Sequence, residues 1–411
     1  MQLFLELLAL LLLTRIFGEL AERIGQPASV GEILAGILLA LSVVWLGSDL
    51  PFLSQMASSE VLEAVANLGI FFLVLSAGIE MEPREITESS RVSFGIALGG
   101  MIVPLAAGFA LAWAFLPESD LRLVQSFLAG VALSISAIPA TIKVFGDLGL
   151  LHTNVGKLVV SAAVFDDVLG LFLLAILLAV VETGQIPDIL SLLLLLTKAF
   201  LFFFVTVLLG AHVYPRVSRG VKAMQAAATE FSALAVVALA YGLLAEVLGM
   251  HWILGAFMAG LYFERTRVGS RAYNEIRLIC NTLTKGALGP LFFAYIGLRV
   301  DLTALTQAPL FLFLLISVAF FGKVVGAGLP ARFAGLSNRD AAAVGIGMSA
   351  RGAVELVVIS IAYEKGVFIA EEGNDSPAGH LFSSLVLMGV VTTMLAPILL
   401  RWLLKKRVRR T

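Results

Sequence analysis

The chain has 411 residues, of which 59% are hydrophobic and 14% charged, with a mean hydropathy of +0.99. A soluble domain of this length carries roughly a quarter of its residues as Asp, Glu, Lys and Arg, so this composition excludes a water-wetted globular protein and leaves no room for a soluble domain of any size. One cysteine and four histidines exclude a disulfide framework, a cysteine-rich metal site and rich zinc chemistry, and 28 basic against 29 acidic residues make no case for a nucleic-acid partner.

Breaking the sequence at charge, Gly and Pro clusters leaves apolar runs of spanning length at 3–18, 29–46, 62–80, 92–115, 123–144, 153–181, 190–212, 227–246, 250–264, 280–298, 308–330, 340–363 and 379–402. The expectation is an all-α polytopic membrane protein of about thirteen helices. The first run, "MQLFLELLALLLLTRIF", lacks a basic leader and a small-residue cleavage site, so it reads as a retained helix. Sorting the basic residues by this topology puts 22 on the face of the C-terminus and three, Arg122, Arg299 and Lys365, on the other. Under the positive-inside rule the C-terminus is expected to be cytoplasmic and the N-terminus external.

The second span contains "VGEILAGILLA" and the ninth "WILGAFMAGLYFE"; the third contains "LGIFFLVLSAGIEME" and the tenth "LGPLFFAYIGLRVD". Aligning Gly36 with Gly260 gives an offset of 224, and Gly78 with Gly297 an offset of 219. Two consecutive pairs at nearly one spacing predict a duplication, covering about 29–181 and 250–402. The second copy begins seven spans after the first and so enters from the opposite side. That is an inverted repeat, an architecture recurrent in secondary transporters, and the chain is read as one transmembrane transporter domain.

A charge at the bilayer centre costs about 2.5–3.5 kcal/mol on insertion scales. Asp166 and Asp167 lie about ten residues into the sixth span, near mid-depth, and adjacent helix positions point about 100° apart. The two carboxylates therefore need different partners. Lys323 lies deep in the eleventh span between Gly322 and Gly326, where small residues let neighbouring helices approach. Pairing it with Asp166 leaves Asp167 as the free carboxylate, and a proton or cation pathway explains the pair of acids better than a structural ion pair alone.

In the fifth span Pro139 removes a backbone donor, and Ser134, Ser136 and Thr141 supply hydroxyls. The twelfth holds Gly345, Gly347 and Gly352 around Arg351, with Glu355 one turn on. Both read as interrupted helices whose carbonyls and hydroxyls suit a small monovalent cation beside a carboxylate. Arg351 and Glu355 at i, i+4 are expected to be structural core charges, neutralising each other and the broken helix ends. Tyr241, near one end of the eighth span, reads as an interfacial anchor.

Taken in order, "GQPASVGEILAGILLA", "AGIEME", "FDD", "FFAYIGLRVD", "GK" and "SARGAVELV" resemble the bacterial monovalent cation:proton antiporters of the second CPA family, over essentially the whole chain. The resemblance implies a homodimer in the bacterial inner membrane, with a dimerisation domain and a six-helix core in which two broken helices cross and which moves like an elevator. It implies that Asp167 binds cation and proton in turn, so that the only metal bound is the transported sodium. Asp166 then pairs with Lys323, and Ser134 and Ser136 sit at the first crossing. The two aspartates with this lysine resemble electrogenic sodium/proton exchangers, whereas the potassium-efflux branch usually has Gln for the first Asp. Two departures stand out: the family's "RGE" is "RGA" here with the acid displaced to Glu355, and no nucleotide-binding regulatory domain follows the last span.

The expected function is exchange of sodium or lithium for protons, with no cofactor and no enzymatic step. Potassium/proton exchange is the alternative, because hard-oxygen sites select by cavity size and ligand number. Sodium-coupled uptake of an organic anion would want more cationic or amide groups than Arg351 alone. An intramembrane aspartyl protease needs acids facing each other from two helices, which adjacent Asp166 and Asp167 do not offer.

Overall fold

The structure is a computed structural model that describes residues 2–46, 59–80, 91–136, 145, 153–185, 189–222, 229–248, 251–368 and 377–408. The described residues form helices and no strand. Besides two four-residue turns of helix at Arg265–Val268 and Ala304–Gln307, these are in chain order α1 (Gln2–Arg23), α2 (Ala28–Leu46), α3 (Glu60–Glu80), α4 (Arg91–Phe115), α5 (Arg122–Ser134), α6 (Asn154–Thr183), α7 (Ile189–Lys222), α8 (Thr229–Val247), α9 (Trp252–Leu261), α10 (Ser270–Leu283), α11 (Gly289–Leu298), α12 (Pro309–Phe333), α13 (Asn338–Gly347), α14 (Ala353–Glu364) and α15 (Leu381–Val408). Six of the described helices are long and apolar enough to cross a membrane, because each offers the run of about 20 apolar residues that the hydrocarbon core requires. Large apolar side chains such as Phe4, Leu8 and Leu12 of α1 are exposed, which suits lipid and not water. The chain is a polytopic membrane protein.

Several boundaries follow from local chemistry. The Thr153 hydroxyl accepts the Gly156 N–H and caps α6, which ends at Gly184 with φ 67°, a left-handed position that glycine occupies without a Cβ penalty. Ser337 caps α13 in the same way by accepting the Asp340 N–H, and α12 opens on Pro309, whose missing N–H is no loss there. The expected span 280–298 lies within a longer helical run that begins at Ser270: amphipathic α10 buries Ala272, Tyr273, Ile276 and Cys280 and exposes Arg271, and a π-helical segment at Thr284–Leu288 carries it on into α11. The alternation of polar and apolar residues over 270–283 overrides the apolar average of the window.

Contacts divide the chain into two compact units. One holds residues 1–58, 88–186 and 293–411; there α12 packs along α4, α4 along α5 and α6, and α13 against α12 and α15. A buried cluster of Phe145, Val155, Val159, Val344, Met348 and Leu400 fills its interior. The other unit holds residues 59–87 and 187–292, with α9 packed between α3 and α8. In that unit Tyr241 is buried and donates its hydroxyl to the Thr206 carbonyl at 3.3 Å, so it is a core residue and not the interfacial anchor that its place near a span end suggested.

Glycines set the closest crossings. In the first unit a Cβ on Gly297 would lie 3.0 Å from the Gly36 Cα and run into the Ile33 carbonyl. In the second unit a Cβ on Gly260 would lie 3.0 Å from the Gly78 Cα and run into the Leu75 carbonyl. Gly297→Ala is therefore expected to lower stability by about 1–3 kcal/mol, the usual range for overpacking. Gly95→Ala, at a helical position with nothing within 4 Å of the added carbon, should be neutral or stabilising by up to about 1 kcal/mol. Melting of the two purified variants in detergent checks this, and equal melting temperatures would remove the packing argument.

Candidate functional site

Two helices stop in mid-core and their ends meet. Helix α5 ends at Ser134, and Ile135 turns extended at φ −79°, ψ 139°. Pro139 has no N–H to give the carbonyl four residues earlier, so the Ile135 carbonyl has no helical donor. The expected twelfth span is two helices, α13 and α14, separated by Met348–Gly352. The Ser136 hydroxyl donates to the Met348 carbonyl at 2.7 Å and ties one break to the other.

Asp166 sits beside this junction on α6, buried, in an ion pair with the equally buried Lys323 of α12. The lysine Nζ lies 3.0 Å from Oδ1 and 3.2 Å from Oδ2, and the Ser136 backbone N–H donates to Oδ2 at 2.9 Å. A buried ammonium and carboxylate are tolerated only when each is paired and its remaining capacity is satisfied, and here the carboxylate accepts three hydrogen bonds from two donor groups, the Lys323 ammonium and the Ser136 N–H. Close approach of α12 to α4, where Gly326 meets Gly99, seats the lysine at this depth.

Arg351 lies in the second break and is fully buried. Its guanidinium donates to the carbonyls of Ala132 at 3.0 Å and Ala319 at 3.3 Å, and also to those of Leu133 and Ile135. These include the orphan acceptors at the end of α5, where the helix dipole is negative. The five-donor planar fork of arginine fits such a fan of carbonyls. The backbone of Arg351 is held from α15: its N–H donates to the Thr393 hydroxyl at 3.1 Å, and that hydroxyl lies 3.0 Å from the Arg351 carbonyl and 2.6 Å from that of Gly389.

Arg351 and Glu355 are both buried at the second break, but no hydrogen bond joins them. An i, i+4 contact needs continuous helix, and α14 begins only at Ala353 after the extended Gly352. Glu355 is buried with neither carboxylate oxygen hydrogen-bonded. Of the other residues singled out from sequence, Ser136 is in the junction, whereas Ser134 turns its hydroxyl back to the Val131 carbonyl at 2.7 Å. Asp167 lies in α6 next to Asp166, but its side chain is outside the described part of the structure, as are residues Pro139 and Thr141. Sequence reasoning missed Thr393 and the Met348 carbonyl; the polar Thr392-Thr393 pair inside an apolar run was the available signal for the first.

An ion pair is buried beside the facing ends of two helices, with the Ser136 N–H on its carboxylate and the Ser136 hydroxyl tied to the Met348 carbonyl, so an acid and a base share a dry interior lined with polar backbone. Residues 8–406 match the family model described as sodium/hydrogen exchanger, transmembrane. Among similar proteins, the Na(+)/H(+)-K(+) antiporter GerN of Bacillus cereus is 26% identical over 97% of this chain and 95% of its own length. The Na(+)/H(+) antiporter of Enterococcus hirae is 25% identical over 98% of both chains. The solved structure of the sodium proton antiporter MjNhaP1 from Methanocaldococcus jannaschii superposes with a TM-score of 0.72 over 99% of this chain and 98% of that one, at 19% identity, and so has the same fold. With nearly its whole length matched, the chain belongs to the transmembrane sodium/hydrogen exchanger family, a family of secondary transporters and not of enzymes.

Proposed function

We propose that this protein exchanges sodium or lithium for protons across a bacterial inner membrane, with Asp167 binding cation and proton in turn. The observation that carries this reading is the buried Asp166–Lys323 pair at the junction of two helix breaks, in a chain of this family. One dry carboxylate site cannot hold a proton and a cation together, so whichever is richer on the facing side loads it. Oxygen ligands would come from Asp167, Asp166 and Ser136, with Ser134 brought in only after its hydroxyl leaves Val131.

The same reading takes thirteen spans in two inverted repeats. The glycine crossings support it: α2 of the first copy meets α11 of the second, and α3 meets α9, the exchanged partnership that a pseudo-two-fold axis produces. The core would comprise the spans from 92 to 181 and from 308 to 402, moving as an elevator within a homodimer surrounded by lipid. The excess of basic residues on one side supports an external N-terminus and a cytoplasmic C-terminus.

Purified protein in liposomes with an internal pH dye tests the function. Sodium and lithium gradients should drive opposing proton flux and potassium should not. A response to potassium alone would favour the second reading, potassium/proton exchange, for which the name of the Bacillus cereus relative is the specific support. Exchange is expected to move charge: when sodium draws Asp166 away, Lys323 loses its support and releases a proton in addition to that from Asp167, giving two protons per sodium. Lys323→Gln should then carry sodium without current on a solid-supported membrane. An undiminished current per sodium moved would rule the lysine out as a proton carrier.

A further inference from the structure

The stretch between α13 and α14 is held in place from a third helix. At its start the Met348 and Ser349 N–H groups still reach back into α13, to the Val344 carbonyl at 2.9 Å and the Ile346 carbonyl at 3.1 Å. After it, the Leu356 N–H returns to the Gly352 carbonyl at 3.2 Å. Between these, the Arg351 N–H and carbonyl both meet the hydroxyl of Thr393 on α15, at 3.1 and 3.0 Å. A buried backbone group needs a partner, and here a side chain supplies one where the helix ladder does not. Thr393 is itself buried, and α15 presents it where its own ladder is interrupted, because Pro397 has no N–H for the Thr393 carbonyl. The neighbouring Thr392 keeps its hydroxyl on its own helix, 2.8 Å from the Met388 carbonyl and 3.2 Å from that of Gly389.

The stretch that Thr393 holds carries two parts of the site. The Met348 carbonyl accepts the Ser136 hydroxyl. The Arg351 guanidinium closes the end of α5 at the carbonyls of Ala132, Leu133 and Ile135, directly before the Ser136 N–H that holds Asp166. A shift of the stretch therefore disturbs both bonds that Ser136 makes. We propose that Thr393 is a positioning residue for the transported cation: from outside both broken spans, its hydroxyl keeps Met348–Gly352 in the register in which Ser136 meets Asp166 and the Met348 carbonyl together, and so sets the affinity for the cation. Thr393 acts through Arg351 and supplies no ligand of its own. Its methyl group fills volume, whereas its hydroxyl sets the register, and the two contributions can be separated by substitution.

The effect on affinity rests on the exchange reading, and two measurements keep the two apart. In the liposome assay Thr393→Val, which keeps the volume and removes the hydroxyl, should raise the KM for sodium about two- to tenfold, the worth of one hydrogen bond, and change kcat less. Thr393→Ser keeps the hydroxyl and should have the KM of the wild type. A residue that only packed would give the opposite order, valine near normal and serine impaired, and that order overturns the proposal. Independently of transport, deuterium uptake of the purified protein over residues 348–352 should be faster in Thr393→Val than in the wild type or Thr393→Ser. Thr392→Val should move neither readout, and a change there as large as in Thr393→Val overturns the proposal too. If Thr393→Val does not fold, Thr393→Ser against Thr393→Ala decides by the same readouts, and equal values overturn it. No sodium-driven flux in the wild type counts against the exchange reading itself, and deuterium uptake then decides whether Thr393 holds the break.

Discussion

Asp167→Asn is expected to reduce sodium-driven proton flux to that of empty liposomes. The amide keeps the shape of the carboxyl but takes up no proton near neutral pH and offers a cation no charge, so both halves of the competition fail together. Asp166→Asn should fail differently. It strands the Lys323 ammonium and takes a charged acceptor from the Ser136 N–H. Breaking one side of a buried pair costs about 3–5 kcal/mol, so this variant should melt well below the wild type. Asp167→Asn should melt close to it. Melting curves and dye flux on the same preparations separate the roles, and near-normal flux in Asp167→Asn would remove that residue from the site.

The contrast between the two aspartates shows what the sequence could and could not display. A lysine and two acids deep in apolar runs had to find partners, and adjacent acids cannot both face one lysine; which of them does was not readable from spacing and was suggested by the family resemblance, and the structure has Asp166 3.0 Å from Lys323. The break in the twelfth span was legible, because clustered glycines remove side-chain packing in mid-span, and α5 ends at Ser134, while the rest of the fifth span, with Pro139, lies outside the described residues. Partner choice at the second break was not. Spacing put Arg351 and Glu355 on one helical face, but the break removes that face, and the arginine serves carbonyls more than 200 residues away in sequence. Apolar averaging likewise hid α10, whose buried stripe is visible only residue by residue, and it placed Tyr241 at a boundary when its hydroxyl is spent inside the core.

Arg351→Met should be the most damaging substitution to the fold among the core charges. Methionine fills much of the volume but leaves the carbonyls of Ala132, Leu133 and Ile135 without their donors, at the negative end of α5 and away from water. Each unsatisfied buried acceptor costs about 1–3 kcal/mol, so a loss of at least about 3 kcal/mol is expected. Arg351→Lys tests whether charge or geometry matters. An ammonium keeps the charge opposite the helix end but presents three donors from one point, and it does not reproduce a planar fork reaching both α5 and the Ala319 carbonyl of α12. It should recover only part of the lost stability. Because Ser136 follows the capped end directly and its N–H holds Asp166, both variants should also weaken sodium-driven flux in proportion to the loosened junction. Melting in detergent measures the first effect and dye flux at a temperature below both melts the second. A lysine variant as stable as the wild type would show that the site needs a positive charge and not the arginine fork. A methionine variant as stable as the wild type would remove the cap from the account of how α5 ends.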